Sequence, residues 1–150
     1  AAVAGRFGSF EFVKMLPSER DQNFLLRRSG TSAADEMVVL KVHNRTDELA
    51  FVELQNMSLQ RAADAGAHCQ RLLKTQEGDR TLVALPEANG KGQCLCRMLT
   101  FLPGRVLGDM LGEGSTSEVA REALWAEIGR AVGRVSVALQ GLEHLAAHRE

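Results

Sequence analysis

The sequence predicts an α+β fold: a five-stranded antiparallel sheet with one inserted helix, followed by a linker and a long carboxy-terminal helix. Three observations predict it. Short apolar runs of strand character occupy residues 10–42 and 81–99, a segment of helical periodicity lies between them, and the final segment carries an apolar stripe stepping by three and four. Strands grouped in this way do not alternate with helices one by one, which excludes a parallel doubly wound sheet.

Phe10, Phe12 and Leu16 alternate imperfectly with Glu11, Val13 and Met15, and Pro17-Ser18 ends the first strand. A polar turn over Ser18–Asn23 leads to a second strand through Phe24–Arg28. Residues 29–36 are small and polar, as a loop requires. Met37–Val42 is a β-branched run with a single Lys in it and is the strongest strand in the chain. The three strands are close enough in sequence to form an antiparallel meander.

From about Asp47 to Leu73 the apolar positions Phe51, Leu54, Ala62, Ala65, Cys69 and Leu72 recur at helical spacing, with Gly66 placed to dent or divide the helix. Thr81–Leu85 and Gln93–Leu99 return to strand character around Asn89-Gly90, a hairpin signal. A Gly-containing stretch to Gly114 predicts a short helix between loops. Ser115 and Glu118 form a capping box, after which Leu124, Ile128, Val132, Val135, Leu139, Leu142 and Ala146 make one stripe, which calls for a surface to pack against.

Composition narrows the function classes. With 150 residues and 45% hydrophobic content the chain can bury a core without metal or disulfide staples. Eighteen Lys+Arg against 19 Asp+Glu give a net charge of −1, which argues against a nucleic-acid or acidic-membrane surface. The absence of Tyr weakens any base-stacking platform. No apolar run is long enough to span a membrane. Three Cys, two of them alternating in a strand as Cys94 and Cys96, predict buried thiols in a reducing, cytoplasmic setting. Asn44-Arg45-Thr46 and Asn56-Met57-Ser58 match the glycosylation pattern by chance. His144 and His148, four apart, read as a surface pair without a third ligand, so no metal site is expected.

Three features could carry chemistry. Lys41, alone in an apolar strand, either snorkels from an edge or is held by a carboxylate; Glu53, on a half-apolar helix face with Leu49 and Met57, wants a cation. The turn Ser18–Asn23 offers backbone N–H groups and Arg20 to an anion, or is a solvated hairpin turn. Leu99–Gly104 runs a strand into a Pro-Gly stop, where free backbone groups can face a planar heterocycle.

Taken in order, Leu16–Phe24, Val39–Val42 and Arg97–Gly104 resemble the amino-terminal lobe of the aminoglycoside phosphotransferase, protein-kinase-like family, with the nearest likeness to the hydroxylysine-kinase type and to the kinase domain fused in some proteins to a class III aminotransferase. The resemblance covers roughly residues 7–147. It implies a nucleotide-binding lobe over 1–103, then the hinge exit and first helices of an incomplete second lobe over 104–150. Lys41 would hold the nucleotide phosphates, with Glu53 as its ion-pair partner and Glu48 as the rival. Ser18, Arg20, Asp21, Gln22 and Asn23 would cover the phosphates, and the backbone of Thr100, Phe101 and Leu102 would read the base. The implied cofactor is ATP or GTP with Mg2+, and pyridoxal phosphate only in a fusion to an aminotransferase domain. The implied partners are the nucleotide, a small-molecule acceptor and the missing second lobe. The family's His-x-Asp-x-x-x-x-Asn string and following metal-binding Asp have no match here, so this stretch alone is expected to be inactive and to bind ATP·Mg weakly or not at all. The alternative from another class is a non-catalytic kinase-like module that binds a partner through its last helix.

Overall fold

The computed structural model describes residues 3–31, 36–86, 92–108 and 118–147. A short helix α1 (Ala4–Phe7) precedes β1 (Phe10–Leu16), β2 (Gln22–Arg28) and β3 (Met37–Val42). Then follow α2 (Leu49–Asp64), β4 (Val83–Pro86), β5 (Gln93–Thr100) and α3 (Glu118–Ala138), with a 3-10 turn at Leu145–Ala147. The five strands form one antiparallel sheet in the order β1-β2-β3-β5-β4. This is the predicted α+β architecture.

The sheet buries both faces because the central strands carry apolar side chains at odd and even positions alike. Leu26, Val38, Leu40, Val83, Cys96 and Met98 cluster on one face under Ala4 and Phe7 of α1. Leu25, Val39 and Leu99 cluster on the other, with Leu16, Leu59 of α2, Leu72 and Phe101. The sequence reading missed α1, which is too short to show periodicity yet supplies Phe7, 5% exposed, to the core. A register shift between Phe12 and Lys14 bulges the edge strand β1, where Phe12 and Met15 stay exposed.

Three boundaries differ from expectation. Gln22 and Asn23 belong to β2 and not to the turn, because they pair with Val42 and Lys41. The long helix closes at Ala65: Gly66 takes φ +79, its N–H reaches Ala63 O, and Ala67 N–H reaches Ala62 O, the paired bonds of a glycine-closed helix end. Beyond it the chain is extended, with Leu73 N–H on Met98 O and Leu72 bridged to Leu99, so Leu72 and Leu73 feed opposite cores at strand periodicity. The final stripe is also broken. Helix α3 ends at Ala138 and Gly141 turns the chain at φ +67, so Leu142 and Ala146 lie off the helix that carries Leu124, Ile128, Val132 and Val135. Trp125, Val132 and Val137 are exposed on α3. The Ser115 cap, the Asn89-Gly90 turn, most of the predicted short helix before Gly114, and His148 lie outside the described residues.

Candidate functional site

One cleft of about 240 Å³ opens where β1, β2, β3 and β5 meet the segment leaving the sheet. Leu16, Pro17, Val39, Leu99, Phe101 and Leu102 give it apolar walls, and Asn23, Lys41 and Gln70 supply its polar groups. Alternation along β3 places Lys41 there, since Val39 and Lys41 share a face while Leu40 and Val42 turn to the other core. Asn23 stands opposite Lys41 in the β2–β3 register, and its Oδ1 is buried with no hydrogen-bond partner.

Lys41 pairs with Asp21. Its Nζ lies 2.5 Å from Asp21 Oδ2, with the two side chains 23% and 15% exposed. The other oxygen, Oδ1, accepts the Asn44 N–H at 3.0 Å. Burial pushes the Asp21 carboxyl up, but the hydrogen bonds from Lys41 and Asn44, with the charges of Lys41 and His43, hold it below its ordinary value. Asn44 Nδ2 donates to Arg20 O, and Arg20 Nη2 donates to Thr46 Oγ1 and lies 3.6 Å from Asp47 Oδ1. The β1–β2 turn is thereby tied to the β3–α2 connection around one carboxylate.

Two buried basic side chains lie close to this carboxylate cluster. His43 is 2% exposed, its Nδ1 is 3.2 Å from Asp47 Oδ2 and its Nε2 has no partner. Burial and then the charge of Arg97 push its pKa below 6.5, against the hydrogen bond to Asp47. Arg97, opposite Lys41 in the β3–β5 register, is 6% exposed and donates to two neutral oxygens, Asn56 Oδ1 at 2.5 Å and Gln55 Oε1 at 2.8 Å. Burial pulls its pKa down, partly offset by Asp21 and Asp47. Sequence reading missed Arg97 as a buried group; the signal was its place between Cys96 and Met98 in an unbroken apolar strand. Asn56 of the second glycosylation match is 8% exposed and occupied by Arg97.

The Lys41–Glu53 pairing is corrected. Glu53 is exposed and lines another hollow with Asn56, Met57, Asp79, Arg80 and His144, and the ion pair of Lys41 among the described residues is with Asp21. The helix turn that would carry Glu53 toward Lys41 instead directs Asn56 and Gln55 onto Arg97. Glu48, the rival, is the exposed residue preceding α2, and its side chain makes no capping bond. Of the turn residues, Asn23 lines the cleft and Asp21 reaches it through Lys41. Ser18 is exposed, while Arg20 and Gln22 line a neighbouring hollow with His43, Asn44 and Arg45.

The exit from β5 is clamped. Thr100 Oγ1 accepts the Arg71 N–H, Thr100 N–H reaches Arg71 O, Gln70 Nε2 donates to Thr100 O, and Phe101 N–H reaches Met37 O. The backbone of Thr100 is thus engaged within the fold, and the side chains that line the cleft are those of Phe101 and Leu102. Asp21, His43 and Asp47 lie close enough together to hold a metal ion, but their oxygens already serve Lys41, the Asn44 N–H, Arg20 and His43. That donor set is committed to cations of the chain itself. All three cysteines are free, and the Cys96 thiol, fully buried, is pushed up to about 11.

A hydroxylysine kinase of Mus musculus is 32% identical over 141 residues, spanning 88% of this chain and 35% of that protein. An amicoumacin kinase solved in complex with AMP-PNP, Ca2+ and Ami superposes with a TM-score of 0.73 at 14% identity, covering 96% of this chain and 40% of its own. The chain is thus similar in sequence to a hydroxylysine kinase and shares the protein-kinase-like fold of an aminoglycoside-phosphotransferase-type enzyme. No family model matches it. The chain spans about a third of the length of the curated relative it matches, and its five-stranded sheet with helices has the fold of a kinase-like amino-terminal lobe. Among its described residues no helix is long and apolar enough to cross a membrane.

Proposed function

We infer that the chain is the nucleotide-binding lobe of a small-molecule phosphotransferase, with ATP or GTP and Mg2+ serving a hydroxyl acceptor on an amine-bearing substrate of the hydroxylysine type. The observation that carries this reading is Lys41 at one end of an apolar cleft whose other end is formed by Phe101 and Leu102. An apolar slot with one placed cation suits a flat base joined to a polyphosphate. The likeness to a hydroxylysine kinase, and to an amicoumacin kinase solved with AMP-PNP and Ca2+, supports nucleotide, divalent metal and small acceptor. Nothing in either likeness supports pyridoxal phosphate. The catalytic base and metal carboxylates would come from a second lobe beginning near residue 104.

In this reading the chain's own residues bind and orient. Val39, Leu99, Phe101 and Leu102 exclude water from the base, and Lys41 neutralises phosphate charge. The metal and the γ-phosphoryl acceptor are handled by the second lobe. Exposed Trp125, Val132 and Val137 on α3 favour a covering surface, which that lobe would provide and which a protein partner would provide in the non-catalytic alternative.

The test is turnover by the full-length protein with ATP or GTP, Mg2+ and hydroxylysine or related amino alcohols. Lys41→Ala is expected to lower kcat/KM by about a hundredfold or more, as loss of a placed charge on a phosphoryl group does. Turnover equal to wild type in a folded Lys41→Ala protein removes the assignment. Absence of nucleotide-dependent turnover together with a stable complex with a protein partner favours the alternative.

A further inference from the structure

We propose that Asp21 is an internal competitor for the nucleotide: it pairs with Lys41 and must yield the ammonium to incoming phosphates. The inference rests on the nucleotide reading above and deepens it. It identifies a residue that sets affinity for the phosphate portion of the ligand and not for the base.

Three observations carry it. First, among the described residues Lys41 is the one cation lining the cleft, and its nearest anion is Asp21 Oδ2 at 2.5 Å. Both side chains are partly exposed, so a phosphate can approach the pair from the solvent side without unfolding the sheet. Second, Asp21 belongs to the β1–β2 turn and not to the sheet or to α2, so it can withdraw with the turn while Lys41 stays fixed by its strand. Third, Asn23 stands opposite Lys41 with a buried, unpartnered Oδ1. An ammonium released from Asp21 has an acceptor across the strand pair and still has protons for phosphate. An orphaned acceptor beside an engaged Lys is what one position of a two-position side chain leaves behind.

Charge gives the competition its sign. A carboxylate and a polyphosphate cannot share one ammonium at close range without repelling each other, so nucleotide binding includes the work of separating Lys41 from Asp21. Asp21 does not come away alone. Its Oδ1 accepts the Asn44 N–H, and Arg20 beside it reaches Thr46 and Asp47, so release also loosens the β3–α2 connection that leads into α2. The opposite role, in which Asp21 orients Lys41 for phosphate as a helix carboxylate would, predicts the opposite response to its removal.

The experiment is calorimetric titration of the full-length protein with ADP, inorganic triphosphate and adenosine, in wild type, Asp21→Asn and Lys41→Met. Asparagine keeps the acceptor for the Asn44 N–H and removes only the charge. The expected result is that Asp21→Asn binds ADP and triphosphate about fivefold more tightly, the worth of a partly screened ion pair, with adenosine affinity unchanged. Weaker ADP binding, unchanged ADP binding, or an equal gain for adenosine overturns the proposal. If Lys41→Met weakens ADP while Asp21→Asn does not strengthen it, the nucleotide reading stands and the competitor role falls. If wild type binds neither ADP nor triphosphate, both fall. Should Asp21→Asn fail to fold, the wild-type protein supplies the reading: the carboxyl carbon resonance of Asp21 is expected to move on addition of ADP and not of adenosine, and a resonance unmoved by ADP overturns the proposal.

Discussion

Replacing Asn56 by Ala should destabilise the protein far more than its amide alone suggests, because Asn56 is half of the solvation of a buried charge. Arg97 is 6% exposed, Asn56 is 8% exposed, and the guanidinium donates Nη1 to Asn56 Oδ1 at 2.5 Å and Nη2 to Gln55 Oε1 at 2.8 Å. Its Nε has no partner. A hydrogen bond to a charged group contributes about 1.5–3 kcal/mol, and Asn56→Ala leaves the charge buried with one acceptor fewer, so a loss of about 2–3 kcal/mol is expected. Arg97→Met removes the charge but strands Asn56 Oδ1, a loss of about 1–3 kcal/mol. The double variant Asn56→Ala/Arg97→Met removes the charge and its acceptor together and should lose less than the sum of its singles by about 2 kcal/mol. Urea unfolding of all four proteins at pH 7, with m values compared to verify two-state behaviour, gives the cycle. An Asn56→Ala loss below about 0.5 kcal/mol, or strict additivity, refutes the view of Arg97 as a charge solvated by amides.

Other outcomes follow from single residues. His43 titrates below 6.5 in the fold, so the unfolded chain takes up a proton near that pH that the folded chain does not. Stability from His43 is complete above pH 6.5 and falls as the pH drops through 6.5 toward the folded value, by at most about 1.4 kcal/mol per pH unit. Urea midpoints between pH 7 and 5 should show the decline, and His43→Gln should flatten it. Asp21, held below its ordinary 3.8, adds a loss only at more acid pH. Gly66→Ala meets no atom within 4 Å but must hold φ +79, so it should cost about 1 kcal/mol of stability by the same unfolding measurement, with cleft ligand affinity unchanged.

The parts of the fold that were legible are those governed by local pattern. Met37–Val42 announces itself as a strand by its β-branched run, and the single Lys in it announces a site, because an ammonium there needs a reason. The partner of that Lys was not legible. Asp21 is brought to it by the β2–β3 register, which sets Asn23 against Lys41 and leaves Asp21 just beyond the strand end, a relation no local window contains. Glu53 had a suitable helical face, but the rotation of α2 is fixed by burying Val52 and Asn56, which turns Glu53 to solvent. Residues 67–73 were misread because Cys69 and Leu72 continue a helical spacing by coincidence. Gly66 had already ended the helix, and the carbonyl and N–H groups of Met98 and Thr100 offered the chain an extended partner.

The clamp around Thr100 also has a mechanical meaning. Four bonds tie Thr100 and Phe101 to the 70–71 segment and to Met37, so this stretch moves as part of the sheet. Beyond it, the segment 102–106 has neither helix nor strand hydrogen bonding and includes Gly104 at φ +154. The spacing between Lys41 and Phe101 is therefore set by the sheet and this clamp, and not by the segment that leaves it.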